Sequence, residues 1–202
     1  MDMANGTEQT RSSNADSHAN WLIDLQILDS TRFVTCSNDM SIKFWQINGD
    51  RNLSCYMTIF SAHPLGILSL AVTGLNNSVL VSCSFDTTCK VWSTQNFSLL
   101  GSFAGHTDYV VRVVALGNNG MYVASVAYDN TVQVWPWANT SSAAVLLKRH
   151  FTGADLLNDM TALSPSVLAV SQKQIVWLMN VTASSNGSIL ATYNLGTFLQ
   201  LA

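Results

Sequence analysis

One pattern recurs along this 202-residue chain at a nearly constant interval. Three histidines, His18, His63 and His106, lie 45 and 43 residues apart, and each opens a series of apolar segments separated by short polar turns. Periods of about 20 to 50 residues are typical of propellers, solenoids and other arrays, in which each repeat is one structural unit. This period therefore limits the possible folds more than any single motif does.

The three copies stay in register around an aspartate, which is Asp39, Asp86 or Asp129. A Ser or Thr stands four residues before each aspartate, another stands two residues after it, and a Trp stands six residues after it. These positions are Thr35, Ser82 and Ser125, then Ser41, Thr88 and Thr131, then Trp45, Trp92 and Trp135. Agreement at this many positions is not expected by chance, so the copies predict one repeated unit.

The apolar segments are short, are bounded by Gly, Asn and Asp, and show almost no helical periodicity, which predicts an all-β fold. Each copy is expected to contain three strands and an outer fourth strand behind its tryptophan. In the third copy this outer strand is expected at 143–147. A degenerate fourth copy is expected to begin at Arg149-His150, with strands near 167–170, 174–177 and 188–193 and with Ser171 at the turn position.

A His, a Ser or Thr, an Asp and a Trp at these spacings resemble the WD-repeat family of β-propellers, whose repeat spans about 40–45 residues. The resemblance covers residues 17 to about 195. It implies four-stranded antiparallel blades at about 18–61, 62–104, 105–148 and 149–195, followed by the start of a further strand at 196–202. Residues 1–17 are polar and aperiodic and are expected to be disordered.

The sequence departs from the family pattern in two respects. Only Gly105-His106 is a literal Gly-His pair, and no copy has the Trp-Asp pair at its end. In addition, propellers of this family usually close with about seven blades, whereas this chain supplies about four. We therefore expect an incomplete or open arc, either as a truncated product or as part of a ring that another chain completes.

His106, Ser125 and Asp129 are also the residue types of an acyl-transfer triad. An enzyme needs one such set beside a cleft, but here the set occurs three times, each time with a Trp. The repetition and the family resemblance both favour a structural tetrad, in which His donates to Asp and accepts from the hydroxyl while the Trp N–H donates to that hydroxyl. The predicted tetrads are His18/Thr35/Asp39/Trp45, His63/Ser82/Asp86/Trp92 and His106/Ser125/Asp129/Trp135. No catalytic residue, metal ligand or cofactor site is predicted.

Composition narrows the class of partner. Charged residues make up only 10% of the chain, against a usual share of about 25%. The net charge is −3 without any block of like charges, so neither nucleic acid nor a membrane surface is expected as a partner. The cysteines, among them Cys36, Cys83 and Cys89, are expected to be buried small hydrophobic residues.

Two positions in each repeat are expected to face the same rim of the arc: the residue before the turn aspartate, and the residues two or three places after the histidine. Large aromatic side chains at such places are common interface anchors, although burial by the neighbouring blade is the alternative. The candidate partner-binding face consists of Trp21, Asn38, Phe85, Asp108, Tyr109 and Tyr128.

Three hypotheses for function follow. The first is a non-enzymatic scaffold that presents this face to protein or peptide partners and needs no cofactor. Because the first 17 residues contain no apolar stretch of a secretory signal, a cytoplasmic location is expected, with the nucleus as the alternative. The second is a truncated or split propeller that has no binding role until self-association or another propeller chain completes it. The third, an enzyme, is disfavoured by the threefold repetition of the triad.

Overall fold

A computed structural model of the chain describes residues 16–49, 52–117, 120–138, 147–152, 155–181 and 187–194. This part of the chain forms four four-stranded antiparallel sheets and one short 3₁₀ turn at Leu75–Asn77. The prediction of an all-β fold built from such sheets is confirmed. Residues 1–15 of the lead-in predicted at 1–17, and the further strand predicted at 196–202, lie outside the described residues.

Strands follow one another across each sheet in the order in which they occur in the chain. The first sheet contains β1 (Leu22–Ile27), β2 (Arg32–Ser37), β3 (Ile42–Ile47) and β4 (Leu53–Ile59). The second contains β5 (Ile67–Thr73), β6 (Val79–Ser84), β7 (Cys89–Ser93) and β8 (Leu99–Phe103). The third contains β9 (Val110–Leu116), β10 (Tyr122–Ala127), β11 (Thr131–Pro136) and β12 (Leu147–His150). The fourth contains β13 (Leu157–Ser164), β14 (Val167–Gln172), β15 (Ile175–Asn180) and β16 (Ile189–Asn194).

The sheets pack face to face along an arc, and each interface is a separate apolar core. Phe44 and Phe97 meet edge to face at 4.9 Å between the first and second sheets. Phe103 stacks on Trp135 at 4.5 Å between the second and third sheets, and both rings are fully buried. Among the described residues the first and fourth sheets each pack against one neighbour only, so the arc is open.

Polar side chains tie the first strands of consecutive sheets together along the inner edge of the arc. The Asp24 carboxylate of β1 accepts the amide of Leu70 at 2.8 Å and the hydroxyl of Ser69 at 3.2 Å, both in β5. The Ser69 hydroxyl accepts the amide of Val113 in β9 at 3.2 Å. These bonds satisfy polar groups that the packing of sheet on sheet would otherwise leave unpaired.

The first strand of every sheet has a bulge at the same position. This bulge gives a common reference for comparing positions in the four sheets. The pairing register shifts between Leu22 and Asp24, Ile67 and Ser69, Val110 and Arg112, and Leu157 and Asp159. Counted from this bulge, Val170 takes the position of Ser125, and Met179, opposite Leu168, takes the position of Trp135.

The prediction that Ser171 occupies the turn position is therefore wrong. Ser171 lies within β14 and pairs with Val176, which leaves four residues in the turn that follows. The equivalent pair in the third sheet, Val126 and Val132, encloses five residues, one of which is the turn aspartate. The fourth sheet has no place for that aspartate because its turn is shorter.

The predicted start of the fourth copy at Arg149-His150 is also wrong. Both residues lie in β12 and pair with Val132 and Thr131 of the third sheet. Of the outer strand predicted at 143–147, only Leu147 lies within the described residues, and it begins β12. The chain returns to the inner edge only after Phe151.

Backbone bonds identify the residue that replaces histidine in the fourth sheet. The Phe151 amide donates to the Asn130 carbonyl at 2.8 Å, as the Ala62 amide donates to the Met40 carbonyl at 2.9 Å. Ala62 directly precedes His63. Thr152 therefore takes the position of His63.

Cys83 and Cys89 are fully buried, as expected, but they form a disulfide, which the sequence prediction did not include. They lie directly opposite each other in β6 and β7 and face the core against the third sheet. Cys36 and Cys55 are free thiols, and Cys36 is buried as expected. The second sheet thus has a covalent link at the base of its β6–β7 turn.

Candidate functional site

The first predicted tetrad is a continuous chain of hydrogen bonds. The indole N–H of Trp45 donates to the Thr35 hydroxyl at 2.8 Å, and this hydroxyl lies 2.7 Å from Nε2 of His18. Nδ1 of His18 lies 3.0 Å from Oδ2 of Asp39. The loop before β1, strand β2 and the β2–β3 turn are thereby joined at one point.

The other two predicted tetrads have the same geometry. In the second, His63 lies 2.7 Å from Asp86 and 2.8 Å from the Ser82 hydroxyl, which accepts the indole N–H of Trp92 at 2.9 Å. In the third, the corresponding distances are 3.1, 2.8 and 3.3 Å for His106, Ser125, Asp129 and Trp135. The structure brings all twelve predicted residues together in three sets of four.

The direction of these bonds follows from the chemistry of the donors. An indole N–H can only donate, so the hydroxyl oxygen accepts it and turns its own proton toward Nε2 of the imidazole. Nδ1 then carries the ring proton and donates it to the carboxylate. A neutral imidazole satisfies every member of the set. At His18 burial lowers the pKa, and the neighbouring Asp39 only partly opposes this effect.

The turn aspartates are ionised at neutral pH. Burial raises the pKa of each, but hydrogen bonds outweigh it, and they lower the pKa of Asp39 to about 2. The donors to Asp86 are His63 and Thr88, and their bonds lower its pKa as well. The pKa of Asp129 lies well below its usual range for the same reason.

Each aspartate also holds a strained turn. Its Oδ1 accepts both the amide and the hydroxyl of the residue two places on, at 2.6 to 2.9 Å for Ser41, Thr88 and Thr131. The residue between them has a positive φ, 68° at Met40 and 70° at Thr87, which non-glycine residues rarely adopt. The repeated Ser or Thr after the aspartate was visible in the sequence, but no role followed from it there.

The sets are closed to a substrate. The hydroxyl-bearing residues Ser82 and Ser125 are completely buried, and each oxygen is already bonded to an indole and an imidazole. A nucleophilic serine must instead lie open beside an oxyanion hole. Within the described ranges, no group of three His, Cys, Asp or Glu side chains could hold a metal ion.

The fourth sheet has no such set at the equivalent positions, which hold Thr152, Val170 and Met179. Trp177, which the sequence predicts as the tryptophan of the fourth copy, lies two residues before Met179. Its indole nitrogen is buried and has no hydrogen-bond partner in the described part of the chain. Its ring packs edge to face on Phe151 at 5.6 Å.

The candidate face residues are paired by a backbone bond within each sheet. The amide of the residue before the turn aspartate donates to the carbonyl of the residue three places after the histidine. The three bonds are Asn38 to Trp21 at 3.0 Å, Phe85 to Gly66 at 3.1 Å and Tyr128 to Tyr109 at 3.0 Å. Because the tetrads fix both loops, these positions are fixed with them.

Side chains then connect one sheet to the next. Asn38 lies directly over Gly66, where a Cβ atom would collide with Oδ1 of Asn38, so a larger residue there would have to displace that side chain. Phe85 meets Tyr109 edge to face at 4.8 Å, and Tyr109 lies 6.2 Å from Tyr128. We call this continuous row the rim strip; it comprises Trp21, Asn38, Gly66, Phe85, Tyr109 and Tyr128.

The rim strip is open to solvent at two large side chains, Trp21, which is 78% exposed, and Tyr109, which is 42% exposed. Phe85, Asp108 and Tyr128 are half-buried, as the alternative of burial by a neighbouring sheet suggested. Counted from the bulge, Leu156 of the fourth sheet is equivalent to Tyr109 of the third sheet, and it is 42% exposed. The sequence prediction named no face residue in the fourth copy, so it did not include Leu156.

The family described as "WD domain, G-beta repeat" matches residues 13–46, 54–93 and 97–136. These three segments span more than half of the chain. The chain belongs to the WD-repeat family. The resemblance predicted from the His, Ser or Thr, Asp and Trp spacing is confirmed.

Several WD-repeat relatives match part of the chain. Nuclear distribution protein PAC1 of Komagataella phaffii is 41% identical over 76 residues, which cover 38% of this chain and 15% of that protein. Guanine nucleotide-binding protein subunit beta of Zea mays is 29% identical over 82 residues, which cover 40% of this chain and 22% of that protein. The matched regions thus span less than a quarter of the length of these relatives.

A solved structure shows the same fold over most of the chain. The structure titled "Structure of U3-55K" aligns with a TM-score of 0.73 at 18% sequence identity. The alignment covers 86% of this chain and 52% of that one. It supports the assignment of the four sheets as WD-repeat propeller blades.

The tetrad geometry predicts a large loss of stability on Asp129→Ala. The variant removes the acceptor of His106, of Thr131 and of the Thr107 amide, at a cost of about 1–3 kcal/mol for each donor that stays buried. The free energy of unfolding, measured by urea denaturation, should fall accordingly.

Asp108→Ala is the matched control, because among the described residues that carboxylate accepts a hydrogen bond only from the adjacent amide of Tyr109. Its effect should stay within about 0.5 kcal/mol. Equal stability of Asp129→Ala and the unmodified chain would contradict a structural role for the third tetrad.

Proposed function

We propose that this WD-repeat chain is a non-enzymatic scaffold that binds a protein or peptide partner through the rim strip. WD-repeat proteins generally serve as interaction scaffolds, which sets the class of function. The tetrads have a structural role in this proposal, because they hold the loops that carry the strip. The partner contacts Trp21, Phe85, Tyr109 and Tyr128, with Asn38 and Asp108 beside them.

The observation that carries the proposal is the continuity of the strip across the first three sheets. Partly exposed aromatic side chains that are already fixed in place can bind with little loss of conformational entropy. Trp and Tyr are also the residues most often found at energetic hot spots of interfaces. A row of this kind suits an extended segment of a partner better than a small molecule.

Charge and composition support protein as the class of partner. The net charge of −3 disfavours binding to the phosphates of nucleic acid or of anionic lipids. No helix in the described ranges has the length and apolar character needed to cross a membrane. The proposal invokes no cofactor, because binding by the strip needs none.

We propose the cytoplasm as the location, with the nucleus as the alternative. The free thiols of Cys36 and Cys55 are compatible with a reducing compartment. The Cys83–Cys89 disulfide points the other way, because structural disulfides are rare in reducing compartments.

A second candidate function is completion of a propeller together with a second copy of this chain. Exposed apolar side chains on the first and fourth sheets favour it: Ile27 is 69% exposed and Leu163 is 58% exposed. Contiguous exposed apolar surface is a common sign of association.

The scaffold proposal predicts that Tyr109→Ala/Tyr128→Ala loses a partner that the unmodified chain retains, because both rings leave the strip. Affinity capture from a cell extract, quantified by mass spectrometry, compares the two. Tyr122→Ala is the control, since this tyrosine is 37% exposed at the opposite end of β10. Capture of the same partners by the double variant would remove the proposal.

The completion candidate predicts a dimer, which light scattering on the eluted protein would show as twice the chain mass of 22.0 kDa. Ile27→Lys/Leu163→Lys should then return it to a monomer, because a buried apolar face cannot hold unpaired charges. A monomer of the unmodified chain at micromolar concentration rejects this candidate and leaves the scaffold proposal unaffected.

A further inference from the structure

Three aromatic rings meet where the rim strip crosses from the second sheet to the third. Phe85 and Tyr109 are 4.8 Å apart at an interplanar angle of 84°, and Tyr109 and Tyr128 are 6.2 Å apart at 45°. The rings therefore stand at different angles around Tyr109, which remains 42% exposed. We call Phe85, Tyr109 and Tyr128 the aromatic cluster.

A carboxylate lies next to each ring in the chain. Asp86 follows Phe85, Asp108 precedes Tyr109, and Asp129 follows Tyr128. The hydrogen bonds that lower the pKa of Asp86 and Asp129 keep both groups ionised at neutral pH.

Within the described ranges no lysine or arginine forms an ion pair with Asp86, Asp108 or Asp129, although Lys90 lies beside the second tetrad, because its acceptor Ala62 directly precedes His63. The Lys90 ammonium binds the Ala62 carbonyl at 2.5 Å, and the Lys173 ammonium pairs with Asp155 at 3.4 Å. Arg112 lies at the inner edge, 3.6 Å from Asp24 and 3.1 Å from Asp159. Lys148 and Arg149 lie on β12, at the outer edge of the third sheet.

We propose that the aromatic cluster binds the cationic side chain, an arginine or a lysine, of an extended segment of a protein partner. The faces of Phe and Tyr rings attract a cation, and the Asp108 carboxylate, with the more buried charges of Asp86 and Asp129, adds a negative potential. An anionic side chain would be repelled there, and an uncharged one would make no use of the carboxylates. Arginine fits best because its planar guanidinium can stack on a ring while it donates to a carboxylate.

This inference rests on the proposed function, because it assigns a chemistry to part of the rim strip. The contact it predicts is between the guanidinium and the ring of Tyr109, with Asp108 as the nearest carboxylate in sequence. Asp108 is the one of the three that makes no tetrad bond. It therefore retains an oxygen, Oδ2, that can accept a hydrogen bond from the partner.

The test is an NMR titration of the full chain with the pentapeptide acetyl-Gly-Gly-Arg-Gly-Gly-amide. The probe should shift the aromatic signals of Phe85, Tyr109 and Tyr128. The same peptide with citrulline, which has the same shape without the charge, should bind about two- to fivefold more weakly. Raising the salt concentration should reduce this difference, since the potential at an exposed site is screened.

Two variants locate the effect. Tyr109→Leu and Asp108→Asn should each reduce the preference for arginine over citrulline, while Tyr122→Leu at the far end of β10 should leave it unchanged. Thermal unfolding of each variant checks that the fold persists. Equal binding of the two peptides, or a preference that survives in Tyr109→Leu, would overturn the inference.

The outcome is separable from that of the proposed function. If partner capture depends on Tyr109 and Tyr128 but arginine and citrulline bind equally, the cation site is wrong and the scaffold proposal stands. If the arginine peptide binds selectively while no partner depends on these residues, the cation site stands and the scaffold proposal fails.

Discussion

A single buried hydroxyl, on Thr35, Ser82 or Ser125, is the group on which each of the first three sheets depends. It accepts a hydrogen bond from an indole N–H and donates one to an imidazole, which in turn binds the turn carboxylate. Because the members bond to one another, removal of any one leaves a buried polar group unpaired. The fourth sheet, with Thr152, Val170 and Met179 at these positions, shows that the strands themselves can pair without the set.

The same interaction fixes the position of the proposed binding face. The tetrads fix the loop after each histidine and the turn at each aspartate, and the backbone bond between the two places one rim-strip pair per sheet. Contacts from Asn38 to Gly66 and from Phe85 to Tyr109 then join the pairs of neighbouring sheets. The energy that stabilises the fold thus also fixes the proposed binding face, and the exposed side chains on it are free to differ from sheet to sheet.

Much of this arrangement could be predicted from the sequence, because a repeat supplies its own alignment. The Asp and Trp spacing located the strands of the first three sheets and the members of each tetrad. The fourth copy was misplaced because His150 and Trp177 are 27 residues apart, and so are Thr152 and Met179, which hold the equivalent positions. Only the strand register separates the two alignments. The Cys83–Cys89 disulfide was missed for a related reason: the two cysteines face each other only once the β6–β7 register is known.

The most direct test of the account is the protonation state of the tetrad histidines. Long-range ¹H–¹⁵N correlation spectra at pH 7 distinguish the two neutral tautomers and the imidazolium. The account predicts that His18, His63 and His106 carry their proton on Nδ1, with Nε2 as an acceptor, while His150, exposed on β12, serves as the reference. A proton on Nε2 in these rings, or a charged imidazolium, would contradict it, because the hydroxyl would then have no acceptor for its own proton.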